Sequence, residues 1–399
     1  MKKTIIISIF LLSVALNSCQ SDKPKVDTDK YLDFAVQQAE KTLEAQSDVQ
    51  RMPRHIKPGD EAWSTTGITG WTSGFWPGSL WYLYEYSGDE ELREAAFKWN
   101  NPLKELTEWT NINHDIGFMV FCSLGNGYRL TGDQEYKEVI LEMAEKLATL
   151  YNPNAGTILS WPGRTSIGNI EVSGTMNHNT IIDNMMNLEL LFWASENGGG
   201  EELYDIAEQH AITTMENQLR PDYSSYHVVI YDSLTGEVGH RIQHQGYLDE
   251  TMWARGQAWG IYGFTVAYRE TGKHEFLETA KNMAQVYIDN LPEDHVPYWD
   301  FEAPGIPDEE KDASAAAITA SALLELSTLV EDNDEKIWYR ENAFRMLKSL
   351  GENYLSDGSN HAVLWHSVGN KNRDSEVDVP IIYADYYFIE ALIRARKLQ

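Results

Sequence analysis

A chain of 399 residues, 42% hydrophobic and 12% aromatic, can bury a large core, which excludes a disordered tail protein. A formal net charge of −29 argues against nucleic acid as a partner. Two cysteines, Cys19 and Cys122, are too few for a disulfide framework or a thiolate metal site.

The chain opens with Lys2 and Lys3, an apolar run over residues 4–16 and then Leu16-Asn17-Ser18-Cys19. This is the pattern of a short export signal whose end resembles the lipobox of bacterial lipoproteins. Cleavage after residue 18 would leave Cys19 as the lipidated first residue. It would remove two lysines and no acid, moving the net charge from −29 to about −31. The expectation is an exported, membrane-anchored lipoprotein facing periplasm or cell exterior, with a flexible tether over residues 19–30 and a single domain over residues 31–399. No later stretch is long and apolar enough to span a bilayer. Cys122, within an apolar stretch, reads as a small core residue.

Beyond the tether, helical patterns alternate with breakers. Ser87-Gly88-Asp89, Thr131-Gly132-Asp133, Asn197-Gly198, Thr271-Gly272-Lys273 and Asp332-Asn333-Asp334 each pair a helix-ending Gly or Asn with a residue suited to start the next helix. Each predicts a tight helix hairpin. Four intervals separate Gly88 from Asn333, about 61 residues apiece, the length of two helices and their connections. Between the hairpins lie longer segments rich in Pro, Gly and Trp, at about 47–73, 151–178, 220–249, 292–311 and 356–378. Helices joined by tight turns run antiparallel, so the long connections collect at one end, with the N-termini of every second helix.

Those second helices, such as 251–268 (TMWARGQAWGIYGFTVAY), 312–326 and 379–393, are apolar or small-residue throughout. Their partners, such as 133–150 (DQEYKEVILEMAEKLATL), are amphipathic. Twelve helices in this alternation predict an all-α fold, an (α/α)6 barrel of six inner and six outer helices. The alternative, an open solenoid, would need capping repeats that the sequence lacks. Residues 226–238 (YHVVIYDSLTGEV) alternate and carry Thr235-Gly236, which predicts a small β-hairpin on the loop face.

Residues 177–195 (NHNTIIDNMMNLELLFWAS) place a lone acid, Asp183, near the start of an apolar helix, with Thr180 as the expected N-cap. Asn179, Met186, Asn187 and Leu190 share its face. His114-Asp115 begins the preceding inner helix, so the two carboxylates could face each other across the mouth. A close pair raises one pKa, and aromatic walls add desolvation, which suits general acid work at neutral pH. The alternative is that both are caps or core acceptors. Asp312 and Asp378 read first as caps. Six inner N-termini at one mouth favour a bound anion. Trp71, Trp76, Trp161, Trp259 and Trp299 lie in or just after the long loops, where rings either stack on sugars or fill the core. Arg255, in an apolar helix, needs an anionic partner, either a substrate carboxylate or an internal Asp. His114, His178, His227 and His244 lack helical metal-ligand spacing, so neither a metal nor another cofactor is expected.

Five motifs carry a resemblance. They are Asn113-His114-Asp115-Ile116-Gly117-Phe118, Ile182-Asp183-Asn184-Met185-Met186-Asn187, His244-Gln245-Gly246-Tyr247, Trp253-Ala254-Arg255-Gly256-Gln257-Ala258-Trp259 and Asp378-Val379-Pro380-Ile381-Ile382-Tyr383-Ala384-Asp385-Tyr386-Tyr387. Together they closely resemble the unsaturated glucuronyl hydrolases, glycoside hydrolase family 88, over essentially the whole chain after the tether. The unsaturated rhamnogalacturonyl hydrolases of family 105 share the barrel and are the alternative, but the Arg-Gly-Gln-Ala-Trp run is similar to family 88.

The resemblance implies Asp183 as general acid and base, with Asp115 holding substrate and tuning Asp183. It implies substrate contacts from His114, His227, Gln245, Arg255 and Trp259, with an aromatic from Trp71 or Trp76, and no metal. The implied reaction is hydration of the C4=C5 vinyl ether of a 4,5-unsaturated uronic acid, the sugar that polysaccharide lyases leave at a non-reducing end. Glycosaminoglycan disaccharides, sulfated or not, are the expected substrates, and Lys371 and Arg373 either meet sulfates or belong to a solvated loop. The rival readings are a sugar epimerase on the same barrel using His bases, and a non-catalytic, lipid-anchored glycan-binding protein.

Overall fold

The structure, a computed structural model, describes residues 24–399. The expected export signal and Cys19 lie outside the described residues. Of the expected tether, residues 24–30 are described, and the first helix begins within them. Asp27 caps the first helix by accepting from the Lys30 N–H, and Val26 is buried, its carbonyl accepting from Gln399 Nε2.

Among the described residues the helices are α1 (Thr28–Ala45), α2 (Phe75–Ser87), α3 (Glu90–Asn100), α4 (Ile116–Val120), α5 (Asn126–Thr131), α6 (Gln134–Ala148) and α7 (Asn184–Ala194). They continue with α8 (Glu201–Asn217), α9 (Ala254–Thr271), α10 (His274–Asp289), α11 (Ala313–Leu329), α12 (Asn333–Asn353) and α13 (Ile382–Leu398). A π turn, Phe121–Gly125, makes α4 and α5 one inner helix. The tight turns work as their residues dictate. Gly88, Gly132 and Gly272 adopt the left-handed conformation that ends α2, α5 and α9 without a Cβ clash. Asp89, Asp133 and Asp332 then accept from backbone N–H groups of the next first turn, starting α3, α6 and α12.

The inner helices α2, α4–α5, α7, α9, α11 and α13 pack each against the next, and α13 returns to α2. The ring is therefore closed, with α1, α3, α6, α8, α10 and α12 outside: an (α/α)6 barrel. Composition explains the two layers. Every residue of α9 from 254 to 267 is buried, whereas α6 buries only Tyr136, Val139, Ile140, Met143, Ala144 and Leu147, one face. Toward the C-terminal ends of the inner helices, their charges are paired, as burial requires. Glu390 accepts from the hydroxyls of Tyr82, Tyr262 and Ser321, Arg394 bridges Glu325 and Glu390, and Arg269 reaches Glu189 and Glu325.

The loop face holds more β-structure than the single hairpin expected. Short antiparallel pairs form between β1 (Arg51–His55) and β2 (Ser64–Gly67), β3 (Tyr151–Asn152) and β4 (Thr157–Ile158), and β5 (Ser166–Ile167) and β6 (Ile170–Glu171). The expected hairpin is β8 (Val228–Asp232) with β9 (Val238–Ile242), and β7 (Met176–Ile181) adds a third strand. That strand corrects the expected N-cap. Thr180 pairs with Val229 in the sheet, so α7 starts only at Asn184. Asp378 is no cap either: it sits at φ 54°, meets His366 Nδ1 at 2.6 Å, and α13 begins at Ile382.

Candidate active site

Asp183 and Asp115 occupy the N-cap positions of α7 and α4, yet both have helical backbone angles and neither side chain makes a capping bond. The carboxylates are thus not consumed by their own helices. Both line a cavity of about 380 Å³ at the mouth of the barrel, together with Trp71, His114, Trp161, His227 and Gln245. Their side chains are only 15% and 14% exposed. Burial pushes Asp183 up to about 7, against the opposing pull of the Arg255 charge, a backbone N–H and the Trp259 indole. Burial and the charge of Asp183 push Asp115 up to about 8. Near neutral pH the pair therefore retains a proton.

Each carboxylate faces a histidine. His114 Nε2 lies 3.3 Å from Asp115 Oδ1, and His227 Nε2 lies 3.6 Å from Asp183 Oδ2. Burial pushes His114 down to about 3, and burial with the field of His244 holds His227 well below its usual range, so both rings are neutral. The Gln245 backbone N–H donates to His227 Nδ1 at 3.1 Å, which leaves the ring proton on Nε2, toward Asp183. The His227 ring stacks on Trp253, with centroids 4.4 Å apart. Neither contact is a hydrogen bond: His114 Nε2, His227 Nε2 and Asp183 Oδ2 are buried and make none in this structure, so these polar atoms face the cavity uncommitted.

The sequence-derived candidates divide between cavity and core. Trp71 lines the cavity and leans on Tyr383, and Trp161 lines it with the Arg164 guanidinium 4.2 Å above its ring. Trp76, Trp259 and Trp299 are core residues, contrary to the expected substrate contacts at Trp76 and Trp259. Trp76 packs on Trp99, and Trp299 belongs to a small cluster with Ala303 and Val368. Trp259 is enclosed by Phe118 and Tyr387. Closure of the inner ring covers the flanks of both helices, so a ring within the first turns meets neighbouring side chains. Trp259 still acts on the site from beneath, through the indole's pull on Asp183.

Arg255 lines the cavity, and its guanidinium is engaged within the protein. Its guanidinium meets Asp312 Oδ2 at 2.8 Å and donates to the carbonyls of Val368 and Gly369, with Gln245 Oε1 3.4 Å away. The anionic partner it needs is an internal Asp, and Asp312 caps α11 as well. Lys371 pairs with Glu310 and is thereby held from the cavity, whereas Arg373 lines it. His178 bonds Thr157 instead of joining the site, and His244 lines the cavity.

Sequence reading missed Arg164, the Arg54–Glu376 ion pair at the rim and the bonding of Asn187. Arg164 sits in a polar loop with no periodicity to mark it. Among the described residues, no group of three or more His, Cys, Asp or Glu could hold a metal ion.

The sequence profile described as Glycosyl Hydrolase Family 88 matches residues 12–393. An unsaturated glucuronyl hydrolase from Formosa agariphila is 42% identical over 352 residues, covering 87% of this chain and 85% of that protein. The crystal structure of an unsaturated glucuronyl hydrolase specific for heparin superposes with a TM-score of 0.86 at 40% identity, covering 93% of this chain and 97% of the other. An unsaturated glucuronyl hydrolase from Bacillus sp., described as responsible for the degradation of glycosaminoglycan, gives 0.85 at 34% identity, with coverage of 92% and 96%.

Proposed function

The chain belongs to glycosyl hydrolase family 88 and is an unsaturated glucuronyl hydrolase, and we propose that Asp183 and Asp115 carry its reaction. The substrate is an oligosaccharide made by a polysaccharide lyase, with a 4,5-unsaturated uronic acid at its non-reducing end. The observation that carries this reading is the buried carboxyl pair at the base of the cavity, with Asp183 held at about 7, half protonated at neutral pH. Asp183 gives its proton to C4, and positive charge develops at C5 and the ring oxygen. Water then adds at C5 and returns a proton to the Asp183 carboxylate. The resulting hemiketal opens and the neighbouring sugar leaves. Asp115, beside it, feels the Asp183 charge and offers the substrate hydroxyls a hydrogen-bonding partner. This differs from displacement at the anomeric carbon, which places two carboxyls across the glycosidic bond.

The rim supports a reading of the substrate class. Arg164 and Arg373 line the cavity near each other, each field lowering the pKa of His244, and neither forms an ion pair among the described residues. Both alternatives carry a uronate, and two unpaired guanidinium groups suit a further anion beside it, which favours sulfated glycosaminoglycan disaccharides over the rhamnogalacturonan alternative. The same proposal places the enzyme at a membrane surface through a lipidated Cys19, on the strength of the Leu16-Asn17-Ser18-Cys19 segment.

The testing experiment follows the ultraviolet absorbance of the double bond while the protein acts on a lyase-generated unsaturated disaccharide. Steady loss of absorbance with release of the second sugar is expected. Stable absorbance with measurable binding would instead support a glycan-binding protein, and an isomerised sugar with its double bond intact would support an epimerase.

A further inference from the structure

Asn187, one turn beyond Asp183 on α7, is buried and belongs to none of the groups assigned above. Its Oδ1 accepts the Phe118 N–H at 2.7 Å, in the first turn of α4, where that donor has no partner within its own helix. This fixes which end of the amide is oxygen. Its Nδ2 lies 3.1 Å from His114 Nδ1 and also reaches the Asp183 carbonyl at 3.4 Å. A second constraint holds the amide in place: a Cβ on Gly117 would lie 2.3 Å from Asn187 Oδ1 and 2.6 Å from its Cα, so α4 and α7 meet here at a distance only glycine permits.

We propose that Asn187 is a positioning residue that locks His114 as the Nε2–H tautomer, so that a neutral N–H donor faces Asp115. The logic is one of donors and acceptors. An amide that accepts from Phe118 can present only N–H to His114, so Nδ1 must accept and the ring proton must sit on Nε2, 3.3 Å from Asp115 Oδ1. With the other tautomer a nitrogen lone pair would face Asp115, disfavour its carboxylate and hold the proton there to higher pH. One side chain thus couples the helix carrying Asp183 to the helix carrying Asp115 and sets the charge preference of the second acid. For its effect on turnover, this inference rests on the reading of Asp115 and Asp183 as the reacting pair. The tautomer itself does not.

The experiment has two arms. Nitrogen NMR of ¹⁵N-histidine-labelled protein, with the His114 signal identified by its loss in His114→Gln, reads the tautomer directly. A neutral Nε2–H ring from pH 5 to 8 is expected, and a proton on Nδ1 in the wild type would overturn the proposal. The second arm is Asn187→Asp, which keeps the acceptor for Phe118 and the shape but removes the donor to His114. Nδ1 should then become protonated, and kcat should fall at least about tenfold with KM changed less than about threefold. Unchanged kcat, a ring proton still on Nε2, or a lower melting temperature as the sole effect, would reduce Asn187 to a structural bond. Should the variant fail to fold, the wild-type tautomer alone decides. A correct tautomer with no hydrolysis by wild type would instead indict the assigned reaction.

Discussion

Asp183→Asn is expected to lower kcat by at least about a hundredfold while the protein still binds unsaturated substrate, because the amide keeps the shape and lacks the transferable proton. The environment of Asp183 makes the effect specific. Burial holds its pKa at about 7, so in the wild type kcat should fall as pH rises through that value and the proton-bearing form disappears. Asp115→Asn should also be damaging, since it removes the second acid of the buried pair, which holds the substrate beside Asp183. The field of Asp183 raises Asp115, so the two act as a unit and the double variant should lose much less than the product of the single losses. Near-native turnover of Asp183→Asn would remove it from the reaction, and simple additivity would mean that the two carboxyls act independently.

Arg255→Ala is expected to be costly for the fold before it is costly for binding. Arg255 and Asp312 are both buried and 2.8 Å apart, and truncating one partner leaves a buried charge uncompensated, which costs about 3–5 kcal/mol. The carbonyls of Val368 and Gly369 lose their donor at the same time. Urea unfolding should show the loss, and Arg255→Ala with Asp312→Ala should recover part of it, since no orphaned carboxylate remains. Arg255 also opposes the raised pKa of Asp183, so in any folded Arg255 variant the alkaline limb of activity should move upward. Stability within about 1 kcal/mol of wild type, with only KM raised, would restore the reading of Arg255 as a free anchor for the substrate anion.

The barrel was legible because its signals are local. Gly88, Gly132 and Gly272 end helices by their own backbone freedom, Asp89 and Asp133 start the next ones, and the contrast between α9 and α6 is written in composition. Asp183 was legible as a lone acid ahead of an apolar helix. The start of that helix was not, because Thr180 caps a helix or sits in a strand equally well until Val229, distant in sequence, pairs with it. Trp259 and Arg255 show the same limit. Whether a tryptophan or arginine on an inner helix meets a sugar or a neighbour depends on Tyr387 and Asp312, which no local pattern brings near. Helical spacing puts Asn187 on the face of Asp183, but its role depends on the Phe118 N–H and His114 Nδ1, contacts that only ring closure creates.

The central claim is that Asp183 delivers a proton to a ring carbon, and turnover in heavy water tests it most directly. The acid's exchangeable proton is replaced by solvent, so the keto acid released from an unsaturated disaccharide must carry deuterium on C4, read early by NMR and mass spectrometry against a control without enzyme. Attack at the anomeric carbon would protonate only the leaving oxygen, from which label washes out. Deuterium on C4 in the first product formed, with a saturated glucuronide left untouched at the same enzyme level, is the predicted result. A first product without deuterium on C4, or rapid cleavage of the saturated glucuronide, would contradict it.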